Sequence, residues 1–265
     1  MKILLAKNSG FCFGVRRAVE MAEQCAKESG TVYTYGNIIH NESVVQELAE
    51  KGVHSVETLE SLHAGDTLII RAHGAPPSVY EECEKRGIRR IDATCPYVKR
   101  IHKIVQKAAQ SGNTVLIAGK ANHPEVIGIR GWAGGDALVL ERASDAKDLP
   151  SLQKAVLVAQ TTLPEETFCD IIHEIESQQD SSCTLQVSNT ICDTTRARQS
   201  EAEEISRRST RMLVLGSKSS ANTQKLVEIC KKHCKNTENI DVTDKLFLDK
   251  LPSDDIIGIV AGAST

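Results

Sequence analysis

Asn8-Ser-Gly10-Phe-Cys12-Phe-Gly14-Val15-Arg16-Arg17 sets one cysteine between two glycines, at the point where a short apolar strand gives way to a helix. Lys2 to Ala6 reads as a buried strand. Val15, Ala18, Val19, Ala22 and Cys25 recur at helical spacing, predicting a helix from Val15 to Glu28 that ends before Gly30. Cys12 therefore stands just ahead of a helix N-terminus, where unpaired N–H groups and the helix dipole favour the thiolate, the form that attacks electrophiles or binds metal.

The pattern recurs twice. Cys12-Phe-Gly-Val15-Arg16, Cys95-Pro-Tyr-Val98-Lys99 and Cys192-Asp-Thr-Thr195-Arg196 each run cysteine, two residues, a β-branched residue, a cation, then a helix. Gly36, Gly119 and Gly216 each follow their cysteine by 24 residues, so the three cysteines hold equivalent places in an internal repeat. Each of these glycines opens a loop after a strand: Gly36-Asn-Ile-Ile-His40, Gly119-Lys-Ala-Asn-His123-Pro124-Glu125 and Gly216-Ser-Lys-Ser-Ser220-Ala221-Asn222. A further loop ends the next strand: Arg71-Ala-His73-Gly74, Gln160-Thr161-Thr162 and Ala261-Gly262-Ala263-Ser264.

Between these landmarks strands and helices alternate. Strands are expected over 31–35, 67–71, 91–93, 114–118 and 155–159, and helices over 43–51, 78–86, 97–110, 164–177 and 222–235. That alternation implies parallel sheets with helices on their faces, whose carboxyl edges are where open α/β sheets bind ligands. The expected architecture is a trefoil of three pseudo-threefold-related α/β units with small, mostly parallel sheets. The units span 14–97, 98–190, and 191–265 together with 1–13, and the cysteines converge at the centre.

A chain of 265 residues, 40% hydrophobic and 25% charged, can bury a substantial core. Its net charge of -3 gives no reason to expect nucleic acid, and no apolar run is long enough to span a bilayer, so a cytoplasmic protein is expected. The nine cysteines lack the even density of a disulfide scaffold and include no Cys-x-x-Cys. Cys230, His233 and Cys234 lie on one helix, where packing is the expected role, with one cysteine half buried and the other on the helix flank.

Three thiolates without a fourth protein ligand leave one coordination position open. That describes a catalytic zinc site or a four-iron cluster held at three corners, and the residues alone do not choose. His40, His73, His123, Thr161, Thr162, Ser220, Asn222 and Ser264 supply hydrogen-bond donors suited to an anion such as phosphate or diphosphate. Gly36, Gly119, Gly216 and Gly262 are expected to let backbone N–H groups approach that anion. Glu125, two residues after His123, is placed to relay a proton. An iron–sulfur enzyme, a zinc hydrolase and a phosphometabolite-binding module all remain compatible with these residues.

Gly10-Phe-Cys12-Phe-Gly-Val15, Arg71-Ala-His73-Gly74, Asp92-Ala-Thr94-Cys95-Pro96, Asn122-His123-Pro124-Glu125-Val126, Gln160-Thr161-Thr162, Asn189-Thr190-Ile191-Cys192, Gly216-Ser217-Lys218 and Ala261-Gly262-Ala263-Ser264 run in order to the end of the chain. In these motifs the sequence resembles the 4-hydroxy-3-methylbut-2-enyl diphosphate reductases of the non-mevalonate isoprenoid pathway. The resemblance implies a four-iron four-sulfur cluster on Cys12, Cys95 and Cys192, with one iron not bound by cysteine. It also implies substrate contacts from His40, His73, His123, Thr161, Ser220, Asn222 and Ser264, with Thr195 nearby and Glu125 as proton donor. The implied reaction is reductive dehydroxylation to isopentenyl and dimethylallyl diphosphate, with ferredoxin or flavodoxin as electron donor. Two departures stand out. Ala221 replaces a serine common in the family, and the chain stops at Thr265 where members continue through a proline and a helix, an ending expected to leave the third sheet partly uncovered and Ser264 loosely held.

Overall fold

Thr67-Leu-Ile-Ile70 is buried at all four positions, a pattern that belongs to a strand covered on both faces. Runs of this kind, Thr114–Ala118, Lys154–Ala159, Arg211–Leu215 and Ile256–Ala261, form the sheet interiors in the computed structural model, which describes residues 1–39, 41–180, 182–241 and 256–265. In chain order the elements are β1 (Lys2–Leu5), α1 (Phe13–Ser29), β2 (Val32–Tyr35), α2 (Glu42–Glu50), β3 (Val53–Val56), β4 (Thr67–Ile70), α3 (Pro77–Arg86) and β5 (Arg89–Asp92). Next come α4 (Pro96–Gln110), β6 (Thr114–Ala118), α5 (Pro124–Trp132), β7 (Leu138–Leu140), a short 3-10 helix (Ala143–Asp148), β8 (Lys154–Ala159), α6 (Glu165–Gln178) and β9 (Thr184–Ser188). The last group is α7 (Asp193–Ser206), β10 (Arg211–Leu215), α8 (Ala221–His233), β11 (Thr237–Ile240) and β12 (Ile256–Ala261).

These strands make three four-stranded sheets ordered β3-β2-β4-β5, β7-β6-β8-β9 and β1-β12-β10-β11, and every pairing in them is parallel. The three share one topology once β1 is placed as the fourth strand of the last sheet, in the position that β5 and β9 hold in the others. Each fourth strand leads directly to a cysteine: β1 to Cys12, β5 to Cys95, β9 to Cys192.

This placement corrects the reading of Lys2 to Ala6 as buried. β1 is an edge strand like β5 and β9, and its Ile3 and Leu5 are exposed. The edge strands β3, β7, β9 and β11 were not expected from the sequence. An edge strand needs hydrogen bonds on one side only and carries polar residues, as in Thr237-Glu-Asn-Ile240.

The helix that follows each cysteine packs on the next sheet. Ala18 and Ala22 of α1 lie against Val32 and Ile69, Ile101 and Val105 of α4 against Val115 and Ile117, and Ala202 and Ile205 of α7 against Met212 and Val214. The second sheet carries the largest aromatic of the core, fully buried Phe168 on α6. No described helix is long and apolar enough to cross a membrane.

Candidate active site

The thiols come together by a construction repeated three times. Cys12, Cys95 and Cys192 are the N-cap residues of α1, α4 and α7, each in an extended or near-extended conformation, and none uses its side chain as a cap. Each backbone N–H instead donates to the loop that ends the adjacent strand of the same sheet: Cys12 to Ala263 O at 3.0 Å, Cys95 to Ala72 O at 2.9 Å, Cys192 to Thr161 O at 3.0 Å. With the backbone held from both sides, all three sulfurs are left to face one cavity of about 120 Å³. That is far more than one ion or one ordered water needs. Among the described residues no three Cys, His, Asp or Glu side chains are close enough to bind a single ion. The Cys95 thiol is pushed up by burial, opposed by the Tyr97 backbone N–H, so here burial outweighs the helix-terminus effect expected from the sequence.

Gly14 completes this part of the site. A Cβ there would lie 2.7 Å from Cys95 Sγ, so only glycine lets the first turn of α1 pass over that sulfur.

Glu125, in the first turn of α5, is 2% exposed and lines the same cavity. Its Oε1 accepts from Thr161 N at 2.6 Å and its Oε2 pairs with Thr161 Oγ1 at 2.7 Å. Burial without a cationic partner raises its pKa to about 7, against the two Thr161 bonds, which pull it down. A carboxyl raised in the folded state contributes stability that is full below its unfolded value of 4.5 and lost as pH rises through about 7. Urea titrations at about pH 5 and about pH 8 should therefore show the wild type losing stability relative to Glu125→Gln as pH rises. A constant difference between the two proteins would contradict the assignment.

His123 caps α5 by accepting the Glu125 backbone N–H at its Nδ1, 3.2 Å away. In the neutral ring the proton then belongs to Nε2. His73 meets it edge to face at 5.4 Å, and both rings line the cavity. Ser220, the N-cap of α8, and Asn222 line the same cavity. Asn222 is 5% exposed, and neither its amide nitrogen nor its amide oxygen has a hydrogen-bond partner. Such a side chain normally marks a missing ligand or water, since leaving it unpaired costs about 1–3 kcal/mol.

Thr161, Thr162, Thr195, Ala221 and Ser264 line the cavity as well. His40 lies outside the described residues; the following residue, Asn41, caps α2 and donates from Nδ2 to Ser264 O at 2.8 Å. That bond, with the Thr265 hydroxyl on Leu215 O, ties down the loop expected to be loose.

One expectation fails throughout the repeat. The N–H groups of Gly36, Gly119, Gly216 and Gly262 donate to Val56, Leu140, Ile240 and Leu215 carbonyls, closing the strand ladders, and are not free for an anion. The value of glycine here is close approach: a Cβ on Gly119 would come within 2.9 Å of Val126 and Gln160 side-chain atoms. Cys230 and Cys234 are both buried core residues, so neither lies on an exposed flank, while His233 pairs with Glu203. Sequence reasoning missed Arg198, a buried cation in the cavity wall. Its only signal is its spacing, two helical steps of three from Cys192 through Thr195.

Known proteins match the chain in sequence and in fold. The family model described as LytB protein matches residues 3–265. A 4-hydroxy-3-methylbut-2-enyl diphosphate reductase of Caldanaerobacter subterraneus subsp. tengcongensis is 46% identical over 100% of this chain and 92% of its own length. One from Thermoanaerobacter sp. is 45% identical with the same coverage. Among solved structures, an (E)-4-hydroxy-3-methyl-but-2-enyl diphosphate reductase described as the terminal enzyme of the non-mevalonate pathway superposes with a TM-score of 0.73 and 39% identity, covering 100% of this chain and 94% of that one. The E-1-hydroxy-2-methyl-but-2-enyl-4-diphosphate reductase from Plasmodium falciparum does so with a TM-score of 0.91 and 30% identity, covering 100% and 84%. By sequence over its whole length and by fold, the chain belongs to the LytB family.

Proposed function

We propose that this chain removes the hydroxyl group of 4-hydroxy-3-methylbut-2-enyl diphosphate with two electrons and two protons, releasing water and giving isopentenyl and dimethylallyl diphosphate. The observation that carries the reading is the three equivalent N-cap thiols on one cavity, lined also by a buried amide that lacks partners. The donor set suits a four-iron four-sulfur cluster with one iron not bound by cysteine: three equivalent thiols on one cavity, and a glycine where a side chain would displace one of them. Such a cluster, when bound, supplies single electrons and an open Lewis-acidic position.

The protein's own groups do the rest. Ser220, Asn222 and Ser264, with the imidazoles of His73 and His123 and with His40, hold the diphosphate and fix the alcohol end over the thiols. Ala221 contributes no side-chain donor, so the burden on its neighbours is larger. Glu125 protonates the departing oxygen and, once it has taken up a second proton from solvent, the allylic carbon. The Thr161 hydroxyl donates to its Oε2, so the pair forms a two-member chain along which a proton can pass. A pKa near 7 keeps a useful fraction protonated at neutral pH, and activity is expected to fall as pH rises above it. The reaction takes place in the cytoplasm, with a ferredoxin or flavodoxin delivering the electrons.

Anaerobic purification tests this directly. A brown protein with about four irons per chain is the expected result. A colourless protein with stoichiometric zinc would favour a hydrolase and overturn the reading.

A further inference from the structure

Arg198 is 5% exposed, lies in the cavity wall and makes no ion pair among the described residues. Its Nη1 donates to Ala261 O at 3.1 Å and Gly262 O at 3.0 Å, and its Nη2 to Gly10 O at 2.7 Å, while its buried Nε has no partner. All three acceptors are neutral carbonyls. Glu201, a carboxylate whose charge acts on Arg198, is committed to the backbone N–H groups of Lys7 and Asn8 at 2.6 and 2.9 Å. The strongest favourable charge interactions that the guanidinium has are with Cys12 and Cys192, and burial lowers its pKa.

The fold does not require a cation here. Ala18 and Ile101, six residues after Cys12 and Cys95 as Arg198 is after Cys192, are apolar and fully buried. Two of three equivalent helices thus pack with a hydrocarbon where the third carries a charge. A buried charge without an opposite charge is costly, and what the cavity binds can supply that opposite charge.

We propose that Arg198 is a positioning residue that serves as the fixed internal counter-cation of the group held on Cys12 and Cys192, stabilising its more negative, reduced state. The proposal rests on the iron–sulfur reading above. The same three bonds fix Gly10, two residues before Cys12, against the Ala261–Gly262 loop that leads to Ser264, so the charge is anchored and cannot swing away when the group gains an electron.

The test compares wild type, Arg198→Lys and Arg198→Gln as anaerobically purified holoproteins, by iron and sulfide content, circular dichroism and a spectroscopic redox titration. Lysine keeps the charge without the fork; glutamine keeps a donor without the charge. The expected result is a midpoint potential moved to more negative values in Arg198→Gln and close to wild type in Arg198→Lys. Loss of iron from folded Arg198→Gln, with Arg198→Lys still loaded, supports the same conclusion. Equal potentials in all three loaded proteins, or equal loss of iron in both variants, would make Arg198 a structural clamp only and overturn the proposal. A wild type without an iron–sulfur spectrum would instead remove the functional reading itself, and this inference with it.

Discussion

Glu125→Gln is expected to lower turnover by about 10²- to 10⁴-fold while leaving iron content and diphosphate affinity near wild type. Glutamine preserves the shape of the side chain and can still accept the Thr161 N–H, so the cavity wall should hold. What disappears is the only carboxyl in the cavity wall among the described residues, the group whose burial tunes it to about 7. Turnover measured with a chemical reductant isolates the proton step from any electron-carrier protein. A near-normal rate there would remove Glu125 from the mechanism, and a loss of inhibition by inorganic diphosphate alone would reassign it to binding. Thr161→Val should show a smaller loss in the same assay, because it removes the hydroxyl of the relay but keeps the backbone bond to Oε1.

Gly14→Ala is expected to abolish most iron loading, approaching the effect of Cys95→Ser. The glycine is at the start of α1 with helical neighbours and no positive φ, so alanine imposes no backbone strain. Its added methyl group falls 2.7 Å from Cys95 Sγ and 3.3 Å from Cys95 Cβ, and the sulfur is the part free to move. The variant should therefore fold, with wild-type circular dichroism, yet bind little iron. Full loading in Gly14→Ala would show that the sulfur can retreat without cost. Unchanged colour, metal content and ligand binding in Cys95→Ser would mean that the cysteines only pack, leaving a phosphometabolite-binding module.

Much of this site is visible in the chain because the repeat is. Cysteine followed by glycine at a constant 24 residues identifies the thiols as equivalent before any contact is known. The interior strands are legible too, since burial on both faces demands an unbroken apolar run, as in β4. Edge strands escape such reading because hydrogen bonding from one neighbour constrains their composition weakly. β1 shows the same limit in reverse: Ile3-Leu4-Leu5 has the composition of an interior strand, yet its position at the edge leaves Ile3 and Leu5 exposed.

The loops divide similarly. Their polar residues announce an anion site, but the glycines that precede them do not serve as N–H donors. In a parallel sheet the chain must close the ladder on the neighbouring strand end before it turns, and that bond takes the N–H first.

By itself, then, the sequence determined the class of fold, the threefold equivalence of Cys12, Cys95 and Cys192, and the residue types around them, because periodicity and spacing are properties of the chain alone. Only the tertiary structure decided that Glu125 is buried and bound by Thr161 from another strand end, that Asn222 is left without partners, and that Arg198 lines the cavity of the thiols with no ion pair among the described residues. Burial and charge compensation depend on which segments meet across the cavity, and those segments lie far apart in the chain.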